Sequence, residues 1–183
     1  KIVCGGAAMD PDMVKQFDTF GITVVEGYGI TECSPLISVS PYYKQKKGSV
    51  GPAVPCCSVK IDNPAEDENG RNIGEILVKG ETVMQGYYKD EEATRQVFKD
   101  GWFRTGDMGK YEGGVLYITG RKKNLIILKN GKNLSPEKIE SELTIAVPEI
   151  KEVVVYGEND LITAEIFPDY ETDGAKKIIE EKI

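Results

Sequence analysis

The sequence predicts an α+β protein built from three stretches of different character, and three observations carry that reading. Residues 1–47 alternate apolar runs with one helical pattern, the β–α–β order that suits parallel strand pairing. Residues 48–119 hold short apolar runs separated by glycine-rich turns, as expected of a small, mostly antiparallel barrel or sandwich. Residues 120–183 open on a basic break and then mix helical and strand patterns.

In the first stretch, residues 2–4 read as a short strand. Asp10 and Pro11 form a helix start, an N-cap followed by the position where proline is tolerated. Met13, Val14, Phe17 and Phe20 fall on one face at helical spacing. Gly21 ends that helix, and residues 22–25 form the next strand. In the second stretch, residues 57–61, 75–79, 110–112 and 115–119 are strand candidates, with Asn69-Gly70 and Gly113-Gly114 as hairpin dipeptides. Asp90 caps a short helix, Glu91 and Glu92 suit its positive end, and Gly101 follows it. In the third stretch, the polar segment Gly120-Arg121-Lys122-Lys123-Asn124 marks a boundary, and the apolar run 125–128 leads into an Asn130-Gly131 turn. Ser135-Pro136-Glu137 opens a helix with Ile139 and Leu143 on its inner face. Residues 153–156 and 161–167 flank a hairpin turn at 157–160, and a last helix begins after Gly174.

Composition narrows the chemistry. The chain of 183 residues is 40% hydrophobic and 29% charged, an ordinary globular balance. Its formal net charge is −7 and its basic clusters, at 44–47 and 121–132, are short. Nucleic acid is therefore not an expected partner. Histidine is absent, which removes Ser-His-Asp and Cys-His nucleophilic schemes and most catalytic zinc sites. The four cysteines form no C-x-x-C pair, so free, buried thiols in a reducing cytosol are expected. No apolar run approaches the length of a membrane span.

Three segments carry chemistry. Gly27-Tyr28-Gly29-Ile30-Thr31-Glu32 follows an apolar run. Its glycines admit a ligand close to the backbone, and its tyrosine offers a flat face to a base. Thr31 offers a donor to a phosphate and Glu32 a hard oxygen ligand to Mg²⁺. The same residues also read as a glycine turn leaving a strand. Trp102-Phe103-Arg104-Thr105-Gly106-Asp107 leads toward the Gly113-Gly114 hairpin. A carboxylate at a hairpin mouth can accept both hydroxyls of a ribose, or can satisfy its own turn. Arg121, in the basic break, offers a guanidinium fork to a phosphate, or belongs to a solvated charge run.

Taken in order, these segments resemble the adenylate-forming, AMP-binding superfamily of acyl-CoA synthetases, luciferases and peptide-synthetase adenylation domains. Gly5-Gly6-Ala7 is similar to its adenine wall. Residues 27–32 resemble its aromatic–Gly–x–Thr–Glu motif, Gly74-Glu75 through Gly86-Tyr87 its barrel motif, and Thr105-Gly106-Asp107 its Thr-Gly-Asp motif. Gly120-Arg121, then residues 130–133, with Glu137 and Glu140 beyond, resemble its hinge and following loop. The resemblance implies the tail of a large N-terminal α/β subdomain at 1–47, a small antiparallel β-barrel at 48–119, and a hinge with an incomplete C-terminal domain at 120–183. It also implies roles. Tyr28 packs on adenine, with Gly5, Gly6, Ala7 and Gly29 as backbone around the nucleotide. Thr31 contacts phosphate, Glu32 binds Mg²⁺, Asp107 holds the ribose, and Arg121 contacts ribose or α-phosphate. Lys123 matches the hinge position and Gly131 a glycine lining the pantetheine tunnel.

The implied reaction joins a carboxylic acid to ATP as acyl-AMP, then transfers the acyl group to CoA. Residues 32–35 and the 157–168 region look most like bacterial long-chain acyl-CoA synthetases. An aryl- or amino-acid-activating enzyme, or a non-catalytic module binding a carrier or partner protein, are the alternatives. The superfamily's phosphate loop and acylation lysine have no counterpart in these residues. A start at Lys1 and a helix under way at Ile183 further predict a piece of a longer protein. The piece alone is expected to be inactive, cytoplasmic, and to pack between copies through the edge of its residue 1–47 sheet.

Overall fold

The computed structural model describes residues 1–6, 9, 11–66, 70–128, 133–158 and 161–183. The chain divides into two compact units, Lys1–Thr119 and Gly120–Ile183.

The first unit begins with β1 (Ile2–Gly5), α1 (Pro11–Thr19), β2 (Val24–Gly29) and β3 (Leu36–Val39), a three-stranded sheet in the order β1-β2-β3. β1 runs parallel to β2 with Gly5 opposite Gly27, as the β–α–β pattern predicts. β3 returns antiparallel, with Tyr28 opposite Ser38 and a register shift at Gly29. The predicted strand at 22–25 therefore starts later and runs on through the glycines. They sit inside a strand flanked on both sides, a position where a missing side chain lets neighbouring backbones approach. Val14 and Phe17 turn inward from α1, whereas Met13 and Phe20 are exposed.

The rest of this unit is β4 (Cys57–Glu66), β5 (Asn72–Gly80), α2 (Glu91–Val97), β6 (Phe98–Lys99), β7 (Trp102–Glu112) and β8 (Val115–Arg121). They form one antiparallel sheet ordered β4-β5-β7-β6, with β8 also on β7. The class is α+β as predicted, but the expected barrel does not close among the described residues. Among those residues β4 pairs only with β5, and β6 is two residues long, too short to carry pairing around a cylinder. Asp90 caps α2 as expected, its side chain accepting from the Ala93 N–H at 2.9 Å. Residues 50–54 join the two sheets. Val54 N–H donates to Ile37 O and Leu116 N–H to Gly51 O, both at 2.9 Å. Between them lies a core of Cys33, Ile37, Cys57, Ile76, Val78, Phe103 and Leu116. Each fully buried aliphatic side chain there contributes about 1.5–3 kcal/mol. Burial pushes the Cys33 thiol up to about 12, so it packs as an apolar group. Cys56, by contrast, is exposed.

The second unit contains β9 (Ile126–Ile127), β10 (Asn133–Leu134), α3 (Pro136–Ala146), β11 (Ile150–Glu158), β12 (Leu161–Pro168) and α4 (Ala175–Lys182). β9 pairs with β10, and β11 with β12, each antiparallel. Val147, Ile150 and Ile179 form its core, with Leu143, Val153 and Ile166 against them. The predicted Asp10 cap, Asn69 turn residue, Asn130-Gly131 turn and the tip of the 157–160 turn lie outside the described residues.

Candidate functional site

The site of the first unit gathers at the carboxyl end of the parallel pair β1–β2, the usual place for ligands in parallel sheets. Gly5 and Gly27 face each other there, and Gly6 follows with space beyond its Cα. Gly29 is required sterically, since a Cβ on it would lie 1.7 Å from the Pro35 carbonyl oxygen. Between these glycines, Tyr28 projects toward the second sheet and packs against the core.

Its partner comes from β7. Gly74 and Glu75 of β5 face Gly109 and Met108, and Leu77 faces Arg104. Thr105, Gly106 and Asp107 thus oppose the single residue Ile76. This is a β-bulge, which re-aims side chains next to functional sites. Gly106 takes φ +75°, a conformation glycine adopts without cost. The Thr105 hydroxyl anchors the bulge by donating to Ile76 O at 2.9 Å. It also accepts from the Asp107 N–H at 3.1 Å. Asp107, only 5% exposed, accepts a 2.6 Å hydrogen bond on Oδ2 from the Tyr28 hydroxyl. Burial first, then the Asp107 charge, pushes the Tyr28 hydroxyl well above the usual phenol range, so it stays a neutral donor. Asp107 was expected at a hairpin mouth. It lies instead inside a long strand, because β7 starts at Trp102.

Thr31 and Glu32 lie on a single 3-10 turn, Thr31–Cys33, directly after β2. Thr31 is exposed and Glu32 half-buried. Glu32 Oε1 accepts from the Tyr87 hydroxyl at 3.0 Å, and its main-chain oxygen accepts from the Met84 N–H at 2.8 Å. Oε2 accepts no hydrogen bond among the described residues. No cluster of three or more His, Cys, Asp or Glu residues stands ready for a metal among them. One carboxylate oxygen open to solvent suits Mg²⁺, which takes one or two carboxylates and draws its other ligands from phosphates and water. It does not suit a metal needing an all-protein cage.

In the second unit, Arg121 ends β8 and Lys123 lies in the 3-10 turn Lys122–Asn124. Glu137, at the start of α3, organises this stretch. It accepts from Asn124 Nδ2 and from Ser135 Oγ, both at 2.7 Å. Burial alone would raise its carboxyl. The bonds from Ser135, Asn124 and the Glu137 and Arg121 backbone N–H groups outweigh that and hold it below the usual range. Lys123, Glu137, Glu140 and Tyr156 line a cavity of about 570 Å³ within this unit. Ala7 and Gly131 lie outside the described residues.

The structure thus joins Tyr28 to Asp107 and seats Gly5, Gly29, Thr31 and Glu32 around the end of β2. It adds Thr105, which shapes the bulge, and Tyr87, which sits 55 residues from Glu32 in sequence. Gly86-Tyr87 stood out as a motif, but no local spacing tied it to a carboxylate. An ion pair between the half-exposed Arg104 and the buried Glu75, Nη2 to Oε2 at 2.7 Å, supports the same strands.

Residues 1–88 match the family described as AMP-binding enzyme. A long-chain-fatty-acid–CoA ligase of Mycobacterium bovis is 41% identical over 157 residues, 85% of this chain and 24% of its own length. An indoleacetate–CoA ligase of Aromatoleum aromaticum is 41% identical over 165 residues, 87% of this chain and 32% of its own length. The chain therefore spans about a quarter to a third of these relatives. Among solved structures, o-succinylbenzoate CoA synthetase of Bacillus subtilis, in complex with its acyl-adenylate intermediate, superposes with a TM-score of 0.83. Its identity is 29%, and the match covers 100% of this chain and 39% of that one. The chain belongs to the AMP-binding enzyme family.

Proposed function

We propose that this chain is part of an ATP-dependent acyl-CoA synthetase and carries the adenosine and metal side of its active site. The observation that carries the reading is the buried Tyr28–Asp107 pair at 2.6 Å. It sets a flat aromatic beside a carboxylate at the carboxyl end of a parallel strand pair, a geometry suited to a base and its ribose. In this reading Asp107 accepts the ribose hydroxyls while the Tyr28 ring covers the adenine between the Gly5-Gly6-Ala7 and Gly29 backbones. Thr31 donates to phosphate, Glu32 Oε2 takes Mg²⁺, and Arg121 meets the ribose or α-phosphate. Mg²⁺, when bound, supplies positive charge against the phosphate oxygens. Fixed donors and cations that favour the charge developing on the α-phosphate oxygens accelerate attack by the carboxylate, which forms acyl-AMP and displaces pyrophosphate. The CoA thiol then takes the acyl group as AMP leaves, with Lys123 at the hinge between the two half-reactions and Gly131 beside the pantetheine arm.

A fatty acid is the proposed substrate, on the 41% identity to a long-chain-fatty-acid–CoA ligase. An aromatic acid is the second reading, on the equal identity to an indoleacetate–CoA ligase. The proposal includes a cytoplasmic setting and self-association through the β1 edge, where Val3 is exposed.

ATP–pyrophosphate exchange by the full-length protein, with fatty and aromatic acids in parallel, tests the reading. Exchange with fatty acids supports it, exchange with aromatic acids alone selects the second reading, and exchange with neither overturns both. The 183-residue chain alone is expected to show no exchange and to bind AMP no tighter than roughly millimolar, about −4 kcal/mol.

A further inference from the structure

We propose that Tyr87 is a positioning residue for the metal-binding carboxylate, holding Glu32 so that one oxygen faces a divalent cation. The inference rests on the reading of Glu32 as the Mg²⁺ ligand and extends it to a residue outside the glutamate's own segment.

Glu32 has reason to need such a partner. It sits on a single 3-10 turn, which constrains its side chain little, and it is half-buried rather than packed. A glutamate in that position samples several rotamers, and ordering it on metal binding costs free energy. Tyr87 removes part of that freedom in advance. Its hydroxyl donates to Oε1 at 3.0 Å, while Oε2 accepts no hydrogen bond among the described residues. A phenol suits this task better than a lysine or arginine. It orients the carboxylate through a neutral donor and leaves the full negative charge for the cation, whereas a cationic partner would compete with the metal.

Tyr87 is itself held. Its N–H donates to Thr94 Oγ1 at 2.9 Å, and that hydroxyl donates to Asp90 O at 2.7 Å. The Asp90 N–H returns to Tyr87 O at 3.3 Å. The start of α2 therefore fixes the tyrosine backbone. A second tie runs from the same segment to the glutamate backbone, Met84 N–H to Glu32 O at 2.8 Å. Side chain and main chain of Glu32 are thus both gripped by residues 84–87. Positioning of a ligand by a hydrogen-bonded neighbour typically changes metal affinity by about ten-fold or more.

The test is Mn²⁺ binding to the full-length protein with an unreactive ATP analogue, followed by electron paramagnetic resonance, in wild type, Tyr87→Phe, Thr94→Val and Glu32→Gln. Thermal melting of each variant is recorded alongside. Tyr87→Phe is expected to weaken Mn²⁺ about ten-fold, with analogue affinity in the absence of metal unchanged. Thr94→Val, which loosens Tyr87 without touching its ring, is expected to shift Mn²⁺ in the same direction by less. Glu32→Gln should lose the protein's contribution, and adding Tyr87→Phe to it should change nothing further. If Glu32→Gln weakens Mn²⁺ but Tyr87→Phe does not, the positioning role is overturned and the metal assignment stands. If Glu32→Gln also leaves Mn²⁺ unchanged, the metal assignment itself is wrong and the positioning role falls with it. A fall in melting temperature for Tyr87→Phe with Mn²⁺ affinity intact means the hydroxyl only supports the fold, which also overturns the proposal.

Discussion

The Tyr28 hydroxyl and the Asp107 carboxylate, 79 residues apart in sequence, meet at 2.6 Å across the seam between the two sheets of the first unit. The bond couples a residue inside a parallel strand pair to one on a bulge of the antiparallel sheet. Any change to either side should be felt at the other.

Asp107→Ala is expected to raise the KM for ATP strongly in the full-length enzyme with the fold intact, because the ribose loses its acceptor. Tyr28→Phe keeps the ring and removes one hydrogen bond to a buried charge, which costs about 1.5–3 kcal/mol of stability. Steady-state kinetics and denaturant melts of the two variants separate the effects. A drop in melting temperature alone for Asp107→Ala would mean that the carboxylate serves only the bulge.

The same pair sets an alkaline limit. The Tyr28 hydroxyl titrates above its unfolded value, from burial and the Asp107 charge. Its contribution to stability is therefore fully present below about pH 10 and is lost as pH rises beyond it. Melting temperature followed upward from neutral pH should fall more steeply for wild type than for Tyr28→Phe.

Gly29→Ala should be severely disruptive. The added carbon would overlap a backbone carbonyl, at 1.7 Å from Pro35 O, and no side-chain rotation relieves it. Overpacking against a fixed backbone is expected to cost about 3 kcal/mol or more. Soluble yield and thermal melting are the readouts.

Glu137 gives the second unit an acid limit. Its carboxyl is held below its usual value by Ser135, Asn124 and backbone donors, which outweigh its burial. A depressed acid contributes stability that is present above its unfolded value and lost as pH falls through the folded one. Unfolding of the second unit should therefore grow easier below about pH 4.5. Glu137→Gln should flatten that dependence, as measured by circular dichroism across an acid titration.

Lys123→Pro, within the 3-10 turn Lys122–Asn124, should slow thioester formation more than adenylation if the hinge role holds. Single-turnover measurement of each half-reaction checks this, and equal losses would count against a hinge there.

The sequence by itself determined the α+β class, the β–α–β start, the Asp90 cap and the Gly113-Gly114 hairpin. It also singled out the residue types of the candidate site. Each of these is a local property, set by what a few neighbouring residues permit. Only the tertiary structure decided that β2 continues through Gly27 and Gly29, because that depends on pairing to strands on both sides. It also decided that Asp107 rides a bulge rather than a hairpin mouth, through a register set by β5. The pairings of Tyr28 with Asp107 and Tyr87 with Glu32 follow from those registers. Hydrogen bonds spanning 79 and 55 residues depend on how strands pair and sheets pack, and no local pattern encodes them.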